Sequence, residues 1–552
     1  MCNINITFKD NKKICVSKGT NLYEISKIAD EADDKTPILA WFNGKIYELN
    51  HEVYEDGNFE IVDPKRKISV LAYMRTLQFI LIKSVRDLYP GAKVRIEHSL
   101  SKGIFGEVSK NTPLTKEDVK DIKNRMQQII DKNIVINKLS VSKEKAIEIF
   151  KEYDMDAKLR MFAHVDNKNV TLYELDGMYD YFYGPMAYST GHVKLFDLMY
   201  YEPGFILRGP TIDNCDKLPE FIEQKKLAKI FYESEKWAQI IDVGDVGALN
   251  DHVENGDISS LITVVEALHE KKVAYIADMI HDRENVKVVL IAGPSSSGKT
   301  TFANRLAIQL RVNGLMPIPI SLDDYFVDRE KTPKDEFGNY DFESIYALDI
   351  DLFNKNLHDL MDGKKTIVPE FDFKTGSRHW KEKPLKLPQN GIILIEGIHG
   401  LNEILTSSIA KENKFKIYIS ALTQLNLDNH NRIATTDVRM IRRIVRDSLS
   451  RGYGAEDTLK MWPSIRRGEE KNIFVFQEEA DVMFNSSLIY ELCVLKKYAE
   501  PELSKITEES PVYYEAMRLK SFLHFFKDVD KSLVPENSIV REFVGGSCFY
   551  KY

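Results

Sequence analysis

The sequence predicts an α/β unit with a parallel sheet flanked by helices, preceded by a small β-grasp unit and an α+β unit. Three observations predict it. First, the aliphatic run Val288–Ile291 leads directly into Gly293-x-x-x-x-Gly298-Lys299-Thr300, and Phe302–Arg311 then keeps helical spacing. Strand, glycine loop and helix in that order form a phosphate-binding βα unit. Second, two further apolar strands, Met316–Leu322 and Gly391–Ile395, run into acids. Third, 552 residues leave room for about three to four domains at roughly 150 residues each.

Composition narrows the classes. Hydrophobic residues are 43% and charged residues 29%, which excludes wholesale disorder. The net charge of −8 argues against a bulk nucleic-acid or membrane-surface binder. No apolar run approaches the ~18 residues of a membrane span, and Met-Cys-Asn-Ile-Asn-Ile has no signal-peptide pattern. The expectation is a cytoplasmic chain without a membrane partner. Cys2, Cys15, Cys215, Cys493 and Cys548 are scattered, with no CxxC, and read as reduced thiols.

Residues 1–65 read as hairpin, helix and further strands. Ile4, Ile6 and Phe8 alternate, Asp10-Asn11 turns the chain, and Lys12–Val16 returns. Thr20 is placed to cap a helix through Leu22, Ile25 and Ile28. Strands follow at Ile38–Phe42 and Phe59–Val62, with Asn43-Gly44 as a hairpin turn. In residues 66–205 an apolar helix, Arg75–Tyr89, is broken by Pro90-Gly91. Residues 206–285 read as a helical connector, Glu220–Glu235 and Ser259–His281, with Ile262, Val265, Ala267 and Leu268 giving one buried face. Residues 286–552 form the phosphate-binding unit, an arginine-rich helix and a helical C-terminal extension.

The glycine loop carries the chemistry. Gly293, Pro294, Ser295, Ser296, Ser297, Gly298, Lys299, Thr300 and Thr301 are the expected ATP contacts. Loop amides and the helix N-terminus point at phosphate oxygens. Lys299 supplies a cation to the β- and γ-phosphates, and the Thr300 hydroxyl is an Mg²⁺ ligand. Asp323, at the end of a neighbouring strand, faces the same crevice and is placed to act as general base; a metal role or helix capping stays open for it. Glu396 ends a third strand where a carboxylate holds the Mg²⁺ shell. Arg439, Arg442, Arg443 and Arg446 share a helical face and suit a lid over the transferring phosphate, with Arg442 as a catalytic contact.

As an ordered set, Gly293–Thr300, Asp323-Asp-Tyr-Phe326, Tyr340-Asp341-Phe342, Pro369-Glu-Phe-Asp-Phe-Lys-Thr-Gly-Ser-Arg378, Leu394-Ile-Glu-Gly397 and Arg439–Asp447 resemble the uridine kinase branch of the phosphoribulokinase and uridine kinase family. The resemblance implies a P-loop kinase using ATP and Mg²⁺ on the 5′-hydroxyl of a nucleoside. Asp323 would take the hydroxyl proton, Asp341 would hold sugar hydroxyls, and Phe371 would line the base pocket. Tyr340, Arg378 and Arg439 are the remaining expected substrate contacts. The family's base-reading tyrosine and histidine positions hold Phe371 and Gly376 here, with His379 three residues on.

The front half carries two further resemblances. Residues 1–65 resemble a TGS domain, and 66–205 resemble the editing domain of threonyl-tRNA synthetases, through Tyr89-Pro-Gly, Gly103-Ile-Phe-Gly106 and Tyr183-Gly-Pro-Met-Ala-Tyr-Ser-Thr-Gly191. The editing domain's metal-ligand-like positions hold Met74, Gln78, Phe182 and Met186, so its chemistry is expected to be lost; His98 and His192 remain nearby. The second reading of the chain is a nucleotide-switched RNA- or ribosome-binding regulator. The third is a kinase of another small sugar-like acceptor. RNA contact through the front half, a homo-oligomer and the choice of ATP or GTP stay open.

Overall fold

The computed structural model describes residues 3–29, 36–336, 338–372 and 375–550; Cys2 and the Phe373-Lys374 pair of the quoted motif lie outside them. The chain divides into two compact units. Unit 1 is Met1–Glu223 with Asp245–Gly247 and Asn426–Arg432, and unit 2 is Gln224–Gly244, Ala248–Leu425 and Ile433–Tyr552.

Unit 1 begins with a five-stranded sheet in the order Lys13–Ser17, Asn3–Phe8, Gly57–Ile61, Leu39–Phe42, Lys45–Glu48. The Asn3–Phe8 strand pairs in parallel with Gly57–Ile61, and the other pairings are antiparallel. Alternating Ile4, Ile6 and Phe8 enter one core with Leu22 and Ile25 of the helix Leu22–Ala29. Asn43 and Gly44 take φ of 48° and 77°, the left-handed pair that an Asn-Gly hairpin turn requires. The helix cap differs from expectation. Asn21 accepts the Glu24 amide at 2.9 Å, while the Thr20 hydroxyl donates to Ser17 O at 2.8 Å. The Thr20 hydroxyl is engaged by the preceding turn, and Asn21, next to the helix start at Leu22, takes the cap.

The rest of unit 1 packs a four-stranded and a three-stranded antiparallel sheet around the helix Lys67–Leu88. By length and composition this helix could cross a membrane, but 67% of its apolar window is buried inside the unit. Phe182 and Met186 are core residues, Met74 packs against the same core, and Phe79 and Phe182 rings lie 5.1 Å apart. Gln78 is buried on the same helix. His98 stacks on Phe105, and burial pushes its imidazole down to about 3. His192 Nδ1 lies 2.7 Å from the Ser189 hydroxyl, and burial pushes that ring down to about 4. Both histidines are neutral packing residues at neutral pH. Glu48 ties the first sheet to this part: it accepts from the Tyr173 hydroxyl and the Met186 amide, each at 2.7 Å, and pairs with Lys138.

A buried charge network sits in the same unit. Lys158 is 2% exposed, with Asp180 at 3.0 Å and Asp428 at 2.9 Å, and His430 Nδ1 lies 2.7 Å from Asp180. Burial opposes the ammonium charge, but the two carboxylates outweigh it and hold Lys158 above its ordinary value. Removing the cation leaves two buried carboxylates without it. Lys158→Met is therefore expected to cost about 3–5 kcal/mol, read by denaturant unfolding of the full chain.

Unit 2 is built on a parallel five-stranded sheet in the order Met316–Ser321, Gly391–Glu396, Val288–Ala292, Lys414–Ser420, Val482–Asn485. Val288–Ala292 is buried throughout, as its unbroken aliphatic run requires. The helix Lys299–Val312 follows the glycine loop and packs against Ile258–His281, where Arg305 meets Glu270 at 2.8 Å. Lys414–Ser420 carries Lys414 and Lys416 inside a buried strand; both ammonium groups pair with Glu403. Those lysines interrupt the apolar pattern that marks the other strands.

Candidate active site

The site forms at the carboxyl ends of the parallel strands, where an open α/β sheet places its crevice. Gly293 passes so close to the neighbouring strand Lys414–Ser420 that an added Cβ would lie 2.0 Å from Ile419 O. Lys299 begins the helix, and its ammonium donates to Pro294 O at 3.2 Å. Such a bond curls the side chain back over the loop that it serves. Ser296 and Ser297 are 3% and 0% exposed, and their hydroxyls have no partner among the described residues. Thr300 follows Lys299 on the first helical turn.

Carboxylates gather opposite the lysine. Asp323 lies in a short turn after the strand Met316–Ser321, and Glu396 ends the adjacent strand Gly391–Glu396. Burial pushes the Asp323 carboxyl above the usual range and Asp324 adds to the rise, while Lys299, Arg451 and Arg446 oppose it. Glu396 is pushed up to about 7 by burial and by Asp323, against the pull of Lys299 and a 3.0 Å hydrogen bond from the Ser321 hydroxyl. Thr300 and Glu396 offer hard oxygen donors, the set that suits Mg²⁺ held mainly by phosphates and water. No group of three or more His, Cys, Asp or Glu side chains able to hold a metal occurs among the described residues, and a cation shared with phosphates needs none. The donor chemistry and the crowded carboxyls thus fit Mg²⁺.

A third carboxyl, Glu343, was not legible in the sequence. Burial and Glu469 push it up to about 7, with Arg443 and Lys299 opposing. Its ordinary value is 4.5. Between about pH 4.5 and 7 the folded state holds the proton more tightly than the unfolded chain, so stability falls as pH rises through that window. Glu343→Gln is expected to stabilise the ligand-free protein by about 3 kcal/mol above pH 7 and by almost nothing below pH 4.5. Thermal melts at pH 5 and 8 check this.

The arginine helix is observed as Thr435–Ser450, but its four guanidinium groups divide. Arg439 is 1% exposed, donates to Ser295 O at 3.0 Å and pairs with Glu469. Arg442 is 0% exposed; it binds Glu491 at 2.6 Å, Ser486 O at 2.8 Å and Ser296 O at 3.4 Å. Arg442, expected as a catalytic contact, and Arg439, expected as a substrate contact, are thus both engaged within the protein. Both donate to main-chain oxygens of the glycine loop and brace it, and the spacing that suggested one exposed face could not reveal their burial. Arg443 reaches the Ser295 hydroxyl at 2.8 Å, and Arg446 binds Asp447 at 2.7 Å. With Arg451, Arg446 is one of the arginines whose charge reaches Asp323.

The acceptor side is partly assembled. Asp341 is half-buried and accepts the Glu343 amide at 3.2 Å. Tyr340 is 41% exposed on a surface turn beside Phe342 and Lys334, so it is not gathered into the site. Phe371 packs on Phe326 at 5.6 Å, and its amide meets Asp324 at 3.4 Å. Arg378 is committed to Asp349 at 2.8 Å. Gly376 has φ of +71°, and a Cβ there would meet Arg329 Nε at 2.9 Å. A histidine would be strained at that position, which explains the glycine: Arg329 occupies the space.

Residues 288–488 match the family described as Phosphoribulokinase / Uridine kinase. The matched stretch covers the second unit's parallel sheet and its glycine loop. The front of the chain has different relatives. It is 30% identical over 195 residues to the threonine–tRNA ligase of Caldanaerobacter subterraneus subsp. tengcongensis, covering 35% of this chain and 30% of that protein. It is 28% identical over 197 residues to the threonine–tRNA ligase of Rickettsia akari, covering 36% and 31%. The chain thus spans about a third of the length of these curated relatives. Among solved structures, one described as a "possible uridine kinase" from Bacillus stearothermophilus is 21% identical, with 39% of this chain and 98% of that chain covered and a TM-score of 0.27. At that score the likeness carries no argument about activity.

Proposed function

We propose that the protein is an ATP- and Mg²⁺-dependent phosphotransferase that phosphorylates a hydroxyl of a small acceptor, in the first instance the 5′-hydroxyl of a nucleoside. The observation that carries this reading is the convergence of Lys299, Asp323 and Glu396 at the carboxyl ends of adjacent parallel strands, where Lys299 pulls down the carboxyls of both acids and Asp323 raises that of Glu396. A nucleotide switch has no use for a second carboxylate poised as a base. Asp323 accepts the acceptor's proton, and its raised carboxyl makes it a better base than an ordinary aspartate. Lys299 and the loop amides hold the donor phosphates in line. Thr300 and Glu396 would hold Mg²⁺, which neutralises charge on the β- and γ-phosphates when bound. Arg446 and Arg451 add positive field on the acceptor side.

Phe371 supplies an apolar wall without a hydrogen-bonding hydroxyl, and Gly376 supplies no side chain. A base is then recognised by stacking and by Arg329 rather than by the family's tyrosine and histidine, which predicts loose discrimination among bases. The likeness of the front unit to threonine–tRNA ligases supports RNA contact there as part of the proposal. The test is a screen of nucleosides, sugars and sugar acids with ATP and Mg²⁺, read by phosphorylated product. Phosphorylation of nucleosides supports the full reading. Phosphorylation of a sugar alone keeps the phosphotransferase and overturns the nucleoside, and no product from any acceptor overturns both.

A further inference from the structure

Residues 489–552 lie beyond the stretch that matches the kinase family. Part of this tail packs on the phosphate-binding loop within the same unit. Ile539 lies against Gly298. The Phe543 ring lies 5.0 Å from the guanidinium of Arg442, the residue that holds Ser296 O. Glu542 reaches further in: its Oε2 accepts from the Thr301 hydroxyl at 2.6 Å and from the Thr301 amide at 3.3 Å. The Tyr550 hydroxyl lies 3.2 Å from the same Thr301 Oγ1. Glu542 is 9% exposed and Thr301 is fully buried. Among the described residues no cation pairs with Glu542.

The position of Thr301 gives this contact meaning. In a loop of this pattern the lysine reaches the β- and γ-phosphates, while backbone amides cradle the α- and β-phosphates. Donors beyond the lysine, on the first turn of Lys299–Val312, are the ones that remain for the α-phosphate. Thr301 offers two such donors, and one carboxylate oxygen holds both. A carboxylate and a phosphate oxygen compete for the same donors and repel each other at contact distance. Glu469 also takes a loop amide, Ser295 N–H at 3.1 Å, but that amide precedes the helix, and Arg439 neutralises the acid.

We propose that Glu542 is a donor-gating residue: it occupies the α-phosphate position at Thr301, so that ATP, the donor, binds only by displacing it, a cost that ligands filling only the β and γ positions escape. The proposal rests on the reading of this loop as the phosphate-donor site. Its consequence is that a nucleotide binds only as Glu542 leaves Thr301, whereas inorganic pyrophosphate leaves that contact in place. The charge of Glu542 also reaches Glu396, where it adds to the raised carboxyl, so the tail is felt at the catalytic end of the site.

The experiment is calorimetric titration of the full chain with a non-hydrolysable ATP analogue and, separately, with pyrophosphate, both with Mg²⁺. Glu542→Gln keeps the size and an acceptor oxygen and removes the charge. The analogue is expected to bind the variant roughly tenfold more tightly than the parent, with pyrophosphate unchanged within about twofold. Equal analogue affinity in parent and variant, or weaker binding in a variant that still binds pyrophosphate, overturns the proposal. Equal tightening of both ligands overturns the α-phosphate position. Should neither ligand bind the parent, the donor-site reading of the loop fails first. A second measurement needs no variant: hydrogen exchange across Ser538–Val544 should rise in the parent with the analogue and not with pyrophosphate. Exchange unchanged by both ligands, or raised equally by both, overturns the displacement.

Discussion

Lys299→Ala is expected to cut phosphoryl transfer by roughly 10³-fold or more while leaving the fold intact. Among the described residues the side chain makes one hydrogen bond, to Pro294 O at 3.2 Å, so its loss costs little stability. Its loss from the site is a different matter. The cation acts where charge builds on the β- and γ-phosphates, and it also holds down the carboxyls of Asp323 and Glu396. The variant should therefore lose turnover and melt within a few degrees of the parent. Turnover within a few-fold of the parent would remove the loop from the chemistry.

Asp323→Asn is expected to lower the chemical step by roughly 10²–10⁴-fold with donor binding retained. Asparagine keeps the shape and removes the proton acceptor. The pH profile separates this role from a structural one. The Asp323 carboxyl lies above the usual range, so the parent rate should fall as pH drops through that raised value. The variant's residual rate should lack that acidic limb. A variant that keeps the limb, or that loses donor binding along with rate, would show that Asp323 serves metal or packing instead. Pre-steady-state product formation is the measurement, since it separates chemistry from release.

Much of the phosphate-binding half was legible because local pattern and local structure coincide there. The aliphatic run, the glycine loop and the helix are contiguous, so one stretch of sequence states strand, turn and function together. The Asn43-Gly44 hairpin was legible for the same reason. The apolar substitutes at Met74, Phe182 and Met186 were also readable, and they sit in or against the core of unit 1. The arginines divide in a way that their spacing does not show. Their spacing fixes one helical face, but exposure depends on what lies opposite. Glu469 and Glu491, which bury Arg439 and Arg442, come from elements 30 and 49 residues away. Glu343 escaped notice because its raised carboxyl arises from burial and from Glu469, not from its neighbours in sequence.

The sequence by itself determined the phosphate-binding loop and the two strand-end acids, because each is written in a short contiguous stretch whose chemistry is local. Only the tertiary structure decided which charged and polar groups work together. Lys158 with Asp428, Arg442 with Glu491, and Thr301 with Glu542 are pairs separated by 270, 49 and 241 positions. Charge interaction falls with distance in space and rises with exclusion of water, and neither quantity can be read along a chain before it folds.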